Sequence, residues 1–206
     1  VVLAPLFEQG KVVGILNVAV DATEREMLQQ NLEKRVEERT HELKTLLKVS
    51  QDINSTLELD NLLNVILDQL KNVVDYSGAS ILILEGDSLS VRIYRGPVPR
   101  DEAQQLIFPL RKSPVNDEVI RQQRPLIISD VRSESTSARM FQQTAADKLH
   151  TTFGYVRSWL GVPLMVKGKI LGMLTLDHNQ PDHFSNQHAN LVLAFANQAA
   201  VAIENA

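Results

Sequence analysis

The sequence predicts an α+β fold: an antiparallel sheet with helices packed on it, preceded by a β-hairpin and a long helix. Three observations carry this expectation. From Trp159 to His178, two almost wholly apolar runs, Leu160 to Val166 and Ile170 to Leu176, flank Lys167-Gly168-Lys169. Strand-length runs around a short Gly-containing connection form a hairpin, and so apolar a pair belongs in a covered sheet. The same pattern opens the chain. Ala4-Pro5-Leu6 through Gly10-Lys11-Val12-Val13-Gly14-Ile15-Leu16 repeats Val162-Pro163-Leu164 through Gly168-Lys169-Ile170-Leu171-Gly172-Met173-Leu174 at a constant offset. Finally, Glu24 to Asn54 holds neither Gly nor Pro and is rich in strong helix formers. The chain thus reads as starting inside one module and then containing a complete second one.

Composition bounds the function. The 206 residues are 44% hydrophobic, enough for one full domain with an extension, and carry a formal net charge of -4. That mild acidity gives no electrostatic case for nucleic acid or an anionic membrane surface. The absence of cysteine removes disulfides, thiolate catalysis, thiolate zinc sites and thioether attachment of a chromophore, and it fits a reducing, cytoplasmic setting. No apolar run approaches the roughly 20 residues of a membrane span, and no signal peptide is visible, so no membrane contact is expected.

In chain order, the first hairpin turns at Glu8-Gln9-Gly10-Lys11. Thr23 and Glu26 form a capping box that starts the long helix. Its apolar positions Leu32, Val36, Leu43, Leu46 and Ile53 follow an a/d seam interrupted by Arg39 and Ser50. So narrow a seam wants a partner helix and predicts a parallel two-stranded coiled coil; the alternative is one helix packed on its own domain. Ser55 to Asp60 reads as a break with a new cap. The next helix, Asn61 to Val74, carries Leu62, Leu63, Ile66, Leu67, Leu70 and Val73-Val74 as its stripe. Strands follow at Ala79 to Leu84 and Leu89 to Tyr94, across Gly86-Asp87-Ser88. Then come a short apolar piece at Leu106 to Leu110, a short helix at Asn116 to Gln123, a strand at Leu126 to Ile128, and a long irregular segment from Ser129 to Ser158. A final helix starts at the N-cap Ser185 and runs to Glu204, with Leu191, Val192, Phe195, Ala199 and Ile203 inward.

From about residue 46 to 206 the chain resembles a GAF domain. The resemblance rests on Thr56-Leu57-Glu58-Leu59-Asp60-Asn61-Leu62-Leu63, Gln123-Arg124-Pro125-Leu126-Ile127-Ile128-Ser129-Asp130-Val131, Arg157-Ser158-Trp159-Leu160-Gly161-Val162-Pro163-Leu164 with the hairpin after it, Phe184-Ser185, and the tail Gln198 to Ala206. The opening hairpin, leaving through Asp21-Ala22-Thr23-Glu24-Arg25, is similar to the end of a PAS domain, although the internal echo leaves open a preceding GAF domain. Leu32 to Thr40 resembles the linker helix between sensor modules of bacterial histidine kinases and cyclases. The resemblance divides the chain into residues 1–22, the hairpin of a truncated PAS-like domain; 23–55, a coiled-coil linker; and 56–206, the GAF domain. It implies a sensory segment of a bacterial signalling protein, foremost a sensor histidine kinase of a two-component system. The alternative is a ligand-free dimerisation and relay module of a diguanylate or adenylate cyclase. A homodimer through the linker and the terminal GAF helices is expected. No convergent nucleophile and base appears, so no enzyme activity is expected of this segment.

Candidate sites follow the same logic. His41-Glu42-Leu43-Lys44-Thr45-Leu46-Leu47 looks like a histidine-kinase phospho-acceptor box, but Leu46 stands where that box has proline. His178, His183 and His188 with Asp177 and Asp182 read as solvated groups rather than a metal site. Of the residues that cyclic-nucleotide-binding GAF domains carry, Asn179 and Phe184 match. Gln180 replaces the lysine and His188-Ala189 the acidic pair, which argues against a cyclic nucleotide. Bilin attachment lacks its cysteine, and His150, two residues from Lys148, reads as surface rather than haem ligand. Ligand-binding GAF domains use the space between the sheet and the irregular middle. Here that implies a pocket of Phe108, Met140, Phe141, Phe153, Tyr155 and Trp159 with Arg157 and Asp130 as polar anchors, or else a plain aromatic core.

Overall fold

The computed structural model describes residues 2–18, positions 32, 34–37, 39, 41 and 44, and residues 56–206. The chain divides into two compact units, Val1–Ile53 and Asn54–Ala206. In the first, β1 (Val2–Glu8) and β2 (Lys11–Val18) pair antiparallel. Gln9 and Gly10 both have positive φ, 48° and 80°, the two-residue turn whose twist suits a hairpin. The described positions from 32 to 44 are helical, with Leu32 and Val36 exposed. Leu43, Leu46 and Ile53, the rest of the expected seam, lie outside the described residues.

The second unit begins with α1 (residues 56–71). The break expected at Ser55 to Asp60 is therefore corrected: residues 56–60 are already helical. Asp60 is no cap, for its carboxylate takes Arg92 of a later strand at 2.7 Å. Leu63, Ile66, Leu67 and Leu70, spaced three and four apart, are buried, each burial contributing about 1.5–3 kcal/mol. Leu62 and Val73, expected in the same stripe, are exposed: Leu62 sits on the flank of the buried face, and Val73 lies in the turn after α1.

Next come β3 (Gly78–Glu85) and β4 (Ser88–Arg95), α2 (Arg100–Gln104), β5 (Ile107–Pro109) and a 3-10 turn. Helix α3 (Pro114–Gln122) starts two residues before the expected Asn116, since proline suits the first helical position. After β6 (Leu126–Ile128) comes α4 (Thr136–Ala145), a helix inside the segment expected to be irregular. Ser135 caps it, accepting from the Ala138 amide at 3.3 Å. β7 (Ser158–Val166), β8 (Lys169–His178) and α5 (Asn186–Asn205) complete the unit.

The six strands run in the order β5-β4-β3-β8-β7-β6, every neighbour antiparallel. β6 pairs only with Trp159 to Gly161, so Pro163 flanks no strand on that side and its missing donor costs nothing. Side chains alternate across the sheet. Leu160, Val162, Leu164, Leu174 and Leu176 form one core with α1 and α5. Trp159, Met173, Leu82 and Val91 form another with α2, α3 and α4. The inward face of α5 is Ala189, Val192, Ala196, Ala199 and Ala200. Leu191 points out, while Phe195 and Ile203 are only partly buried, which corrects the expected face. Alanines at the contact let the helix lie close on the strands, and the larger side chains sit at its flanks. Among the described residues, no helix is long and apolar enough to cross a membrane.

Candidate functional site

The core beneath α2, α3 and α4 is not filled. It encloses a cavity leaving about 60 Å³ for the centres of water-sized groups. Phe108, Phe141, Phe153 and Trp159 line it. Phe108 and Phe153 lie 6.5 Å apart between ring centres, Phe141 and Trp159 6.0 Å, both tilted pairs of the favoured kind. Met140 packs on the same core without reaching the cavity, and Tyr155 brings its hydroxyl to one end. Asp130 and Arg157 stand outside the lining and hold one another, at 2.8 and 3.2 Å. The guanidinium bonded to Asp130 holds that carboxyl below its ordinary value. Asp130 also accepts from the Arg132 amide, so the pair ties the loop after β6 to the start of β7.

The polar lining is where sequence reading fell short. Ser80, Tyr94, Asn116, Thr144, Thr175 and Asp177 line the cavity. The signal was the period of two in β8, where Met173, Thr175 and Asp177 alternate with Leu174 and Leu176. Asp177 keeps some accessible surface as a residue, yet its Oδ1 is enclosed and has no hydrogen-bond partner among the described residues. Burial pushes this carboxyl up to about 7, with hydrogen bonding by Tyr155 partly opposing the rise. The Tyr155 and Tyr94 hydroxyls lie 3.4 Å apart, and both are pushed up by burial. Tyr94 also accepts from the Val98 amide at 3.2 Å. Gly78 makes room for this group, since a Cβ there would stand 2.7 Å from both Asp177 oxygens and from the Tyr155 hydroxyl.

The six-stranded antiparallel sheet thus carries two terminal helices on one face and a cavity under short helices on the other. The family model described as "GAF domain" matches residues 58–203. The chain belongs to the GAF domain family. Its fold is similar to the GAF domain of a two-component sensor histidine kinase from Bacillus halodurans, at 20% identity and TM-score 0.57, covering 71% of this chain and 93% of that one. It is similar to residues 122 to 287 of a methyl-accepting chemotaxis protein, at 22% identity and TM-score 0.57, covering 71% and 89%. It is also similar to a type II free methionine-R-sulfoxide reductase from Thermoplasma acidophilum, at 16% identity and TM-score 0.58, covering 73% and 96%. At these identities the likeness establishes the fold. Comparison of the sequence with curated proteins finds no match.

The GAF domain's histidines differ from the expected solvated set. His178 is buried, and His183 stacks on it with ring centres 3.5 Å apart and planes 7° from parallel. Asp75 joins them instead of Asp177 or Asp182. Its carboxylate lies 3.5 Å from His178 Nε2, and its carbonyl lies 3.0 Å from His183 Nε2. Ligand atoms of all three fall within 4.8 Å of one another. Stacked imidazoles, however, direct their lone pairs along parallel lines, whereas a metal needs them to converge. His188 instead closes the capping box of α5, its Nδ1 accepting from the Ser185 amide. His150, set aside as a haem ligand, is exposed on a 3-10 turn.

Proposed function

We propose that this chain is a non-enzymatic sensory and relay segment of a bacterial signal-transduction protein, foremost a sensor histidine kinase, whose GAF domain binds a small molecule. The observation that carries the reading is the cavity with the enclosed Oδ1 of Asp177, which has no partner among the described residues, set across the sheet from α1 and α5. Occupancy on one face would shift the strands against the helical layer on the other, and α5 leads toward whatever follows it. Similarity in fold to domains of a histidine kinase and a chemotaxis protein supports this reading. A dimer through the linker seam and the terminal helices would deliver the signal. A tenfold difference in ligand affinity between two states supplies only about 1.4 kcal/mol, so those states must be closely balanced.

The alternative is a ligand-free relay module of a diguanylate or adenylate cyclase. The small volume of the cavity favours it. Native mass spectrometry of the protein from its own source separates the two. A retained small molecule on a dimer is expected; a dimer stripped of any adduct favours the alternative, and a monomer breaks both. For β1–β2, we infer the closing hairpin of an upstream sensor module. The Asp21 to Arg25 exit supports a PAS domain, while the turn and bulge it shares with β7–β8 support a second GAF domain.

A further inference from the structure

Asp177 is an odd residue to build into a cavity floor. Ionised, a carboxylate only accepts hydrogen bonds; Tyr155 reaches this one, yet its enclosed Oδ1 finds no donor among the described residues. Among the described residues, the cavity lining contains no Lys, Arg or His. An anionic ligand would find no counter-charge there and would meet Asp177's own. A shallow depression beside the cavity shares Val98 and Thr152 with it and is lined by Glu102, so the approach is acidic as well. Thr152 holds that Glu102 carboxylate at 3.1 Å. Apart from the uncharged polar Ser80, Asn116, Thr144 and Thr175, the remaining walls are aromatic and aliphatic, suited to an apolar body and to the face of a cation.

We propose that the GAF cavity takes a small organic cation, a primary ammonium or amidinium group on a short apolar body, with its N–H donors on Asp177. This rests on the reading that the cavity is a ligand site. The free volume accommodates about four to six water-sized groups, which sets the size of the body. The groups facing Asp177 are Tyr155 from the segment before β7, Tyr94 from β4 and the Gly78 backbone of β3. None of them carries a charge. Its neighbour in sequence, His178, is engaged with Asp75 and His183 instead. Proton and ligand cation therefore compete for one carboxylate.

The test uses the 206-residue chain and three probes of similar size and opposite character: n-butylammonium, 1-butanol and butyrate, at matched ionic strength. Trp159 is the only tryptophan and lines the cavity, so its emission reads occupancy directly. At pH 8 n-butylammonium should bind at least tenfold more tightly than 1-butanol, with butyrate weakest. Below about pH 7 the ammonium dissociation constant should rise about tenfold per unit, while that of 1-butanol stays flat. Asp177→Asn should erase both the ammonium preference and its pH dependence while still admitting 1-butanol. If 1-butanol or butyrate binds as tightly as the ammonium, the cation assignment is overturned and the cavity remains a ligand site. If no probe of any charge alters Trp159 emission, the ligand-site reading itself is overturned.

Discussion

The first hairpin turns at Gln9-Gly10 and β7–β8 turns at Lys167-Gly168, and the backbone angles agree within a degree: φ of 48° and 80° in one, 49° and 80° in the other. Each carries a register shift at the equivalent place, between Leu6 and Phe7 and between Leu164 and Met165. Their surroundings do not agree. Met173, Leu174 and Leu176 of β8 are wholly buried, whereas Phe7 and Ile15 are 65% and 66% exposed. Turn type and bulge are thus local properties, fixed by a left-handed Gly and its flanking residues. Burial is not local: β8 owes it to β3 beside it and to the helices above and below. The echo in sequence also ends at a telling place. It holds through Leu16 and Leu174, then diverges where Ala19-Val20 in one stands against Asp177-His178 in the other. The departures are the carboxyl of the cavity floor and one histidine of the stack.

The sharpest test of that contrast is a matched pair of glycine substitutions. A Cβ at Gly172 would stand 1.9 Å from the Leu82 carbonyl oxygen, a backbone atom of the neighbouring strand that cannot yield cheaply. At Gly14 the nearest atom would be Leu6 Cδ1 at 3.8 Å, an ordinary contact. Gly172→Ala should cost about 3 kcal/mol or more, and Gly14→Ala well under about 1 kcal/mol, in urea unfolding of the chain. Equal losses would mean the first hairpin is as tightly enclosed as the second.

The same division between local and distant causes explains what the sequence made legible. The strands, the capped α5 and the aromatic half of the cavity lining follow from periodicity, Ser185 and family motifs. Helix α4 was missed because the Ser/Thr-rich run before it reads as loop. Its buried stripe, Ala138, Phe141 and Ala145, is mostly small. The inward face of α5 was misjudged for a related reason: the contact uses alanines, while sequence reading favours the large side chains beside them. Asp130 and Arg157 looked like anchors for a ligand, and only the tertiary structure reveals that they bond to each other. Asp177 was visible as a letter, but its burial depends on Tyr155 and Gly78, distant in sequence.

The point at which the echo fails is also titratable. The Asp177 carboxyl is raised from its ordinary 3.8 to about 7. Between those values the folded protein holds more protons than the unfolded chain. Stability from this group is therefore full below pH 3.8 and is lost as pH rises through about 7. Asp177→Asn removes the loss and should stabilise the protein by roughly 2 kcal/mol at pH 8, with almost no gain at pH 4. A variant less stable than the wild type at pH 8 would show that the ionised carboxylate is satisfied in the fold.

The neighbouring departure, His178, should act with the opposite sign and a smaller size. Burial, and then the charge of His183, lower its pKa from the ordinary 6.5, while the Asp75 carboxylate works against the shift. Lys71, bonded to Asp75 at 2.5 Å, adds to the lowering and weakens what Asp75 contributes. As pH falls through 6.5 the unfolded chain takes up the proton first, so folding stability declines from there down to the folded value. In the wild type this decline overlaps the window in which Asp177 becomes easier to bury, and the two partly cancel. Asp177→Asn should therefore expose an acid limb beginning near pH 6.5, as His178 takes up its proton later in the fold than in the unfolded chain. Adding His178→Asn should flatten it, because Asn can still accept from the Gln180 amide that now bonds His178 Nδ1 at 3.1 Å. The measurement is urea unfolding of the single and double variants at half-unit steps from pH 5 to 8. An acid limb of equal slope in both would place the proton uptake elsewhere and remove His178 from the account.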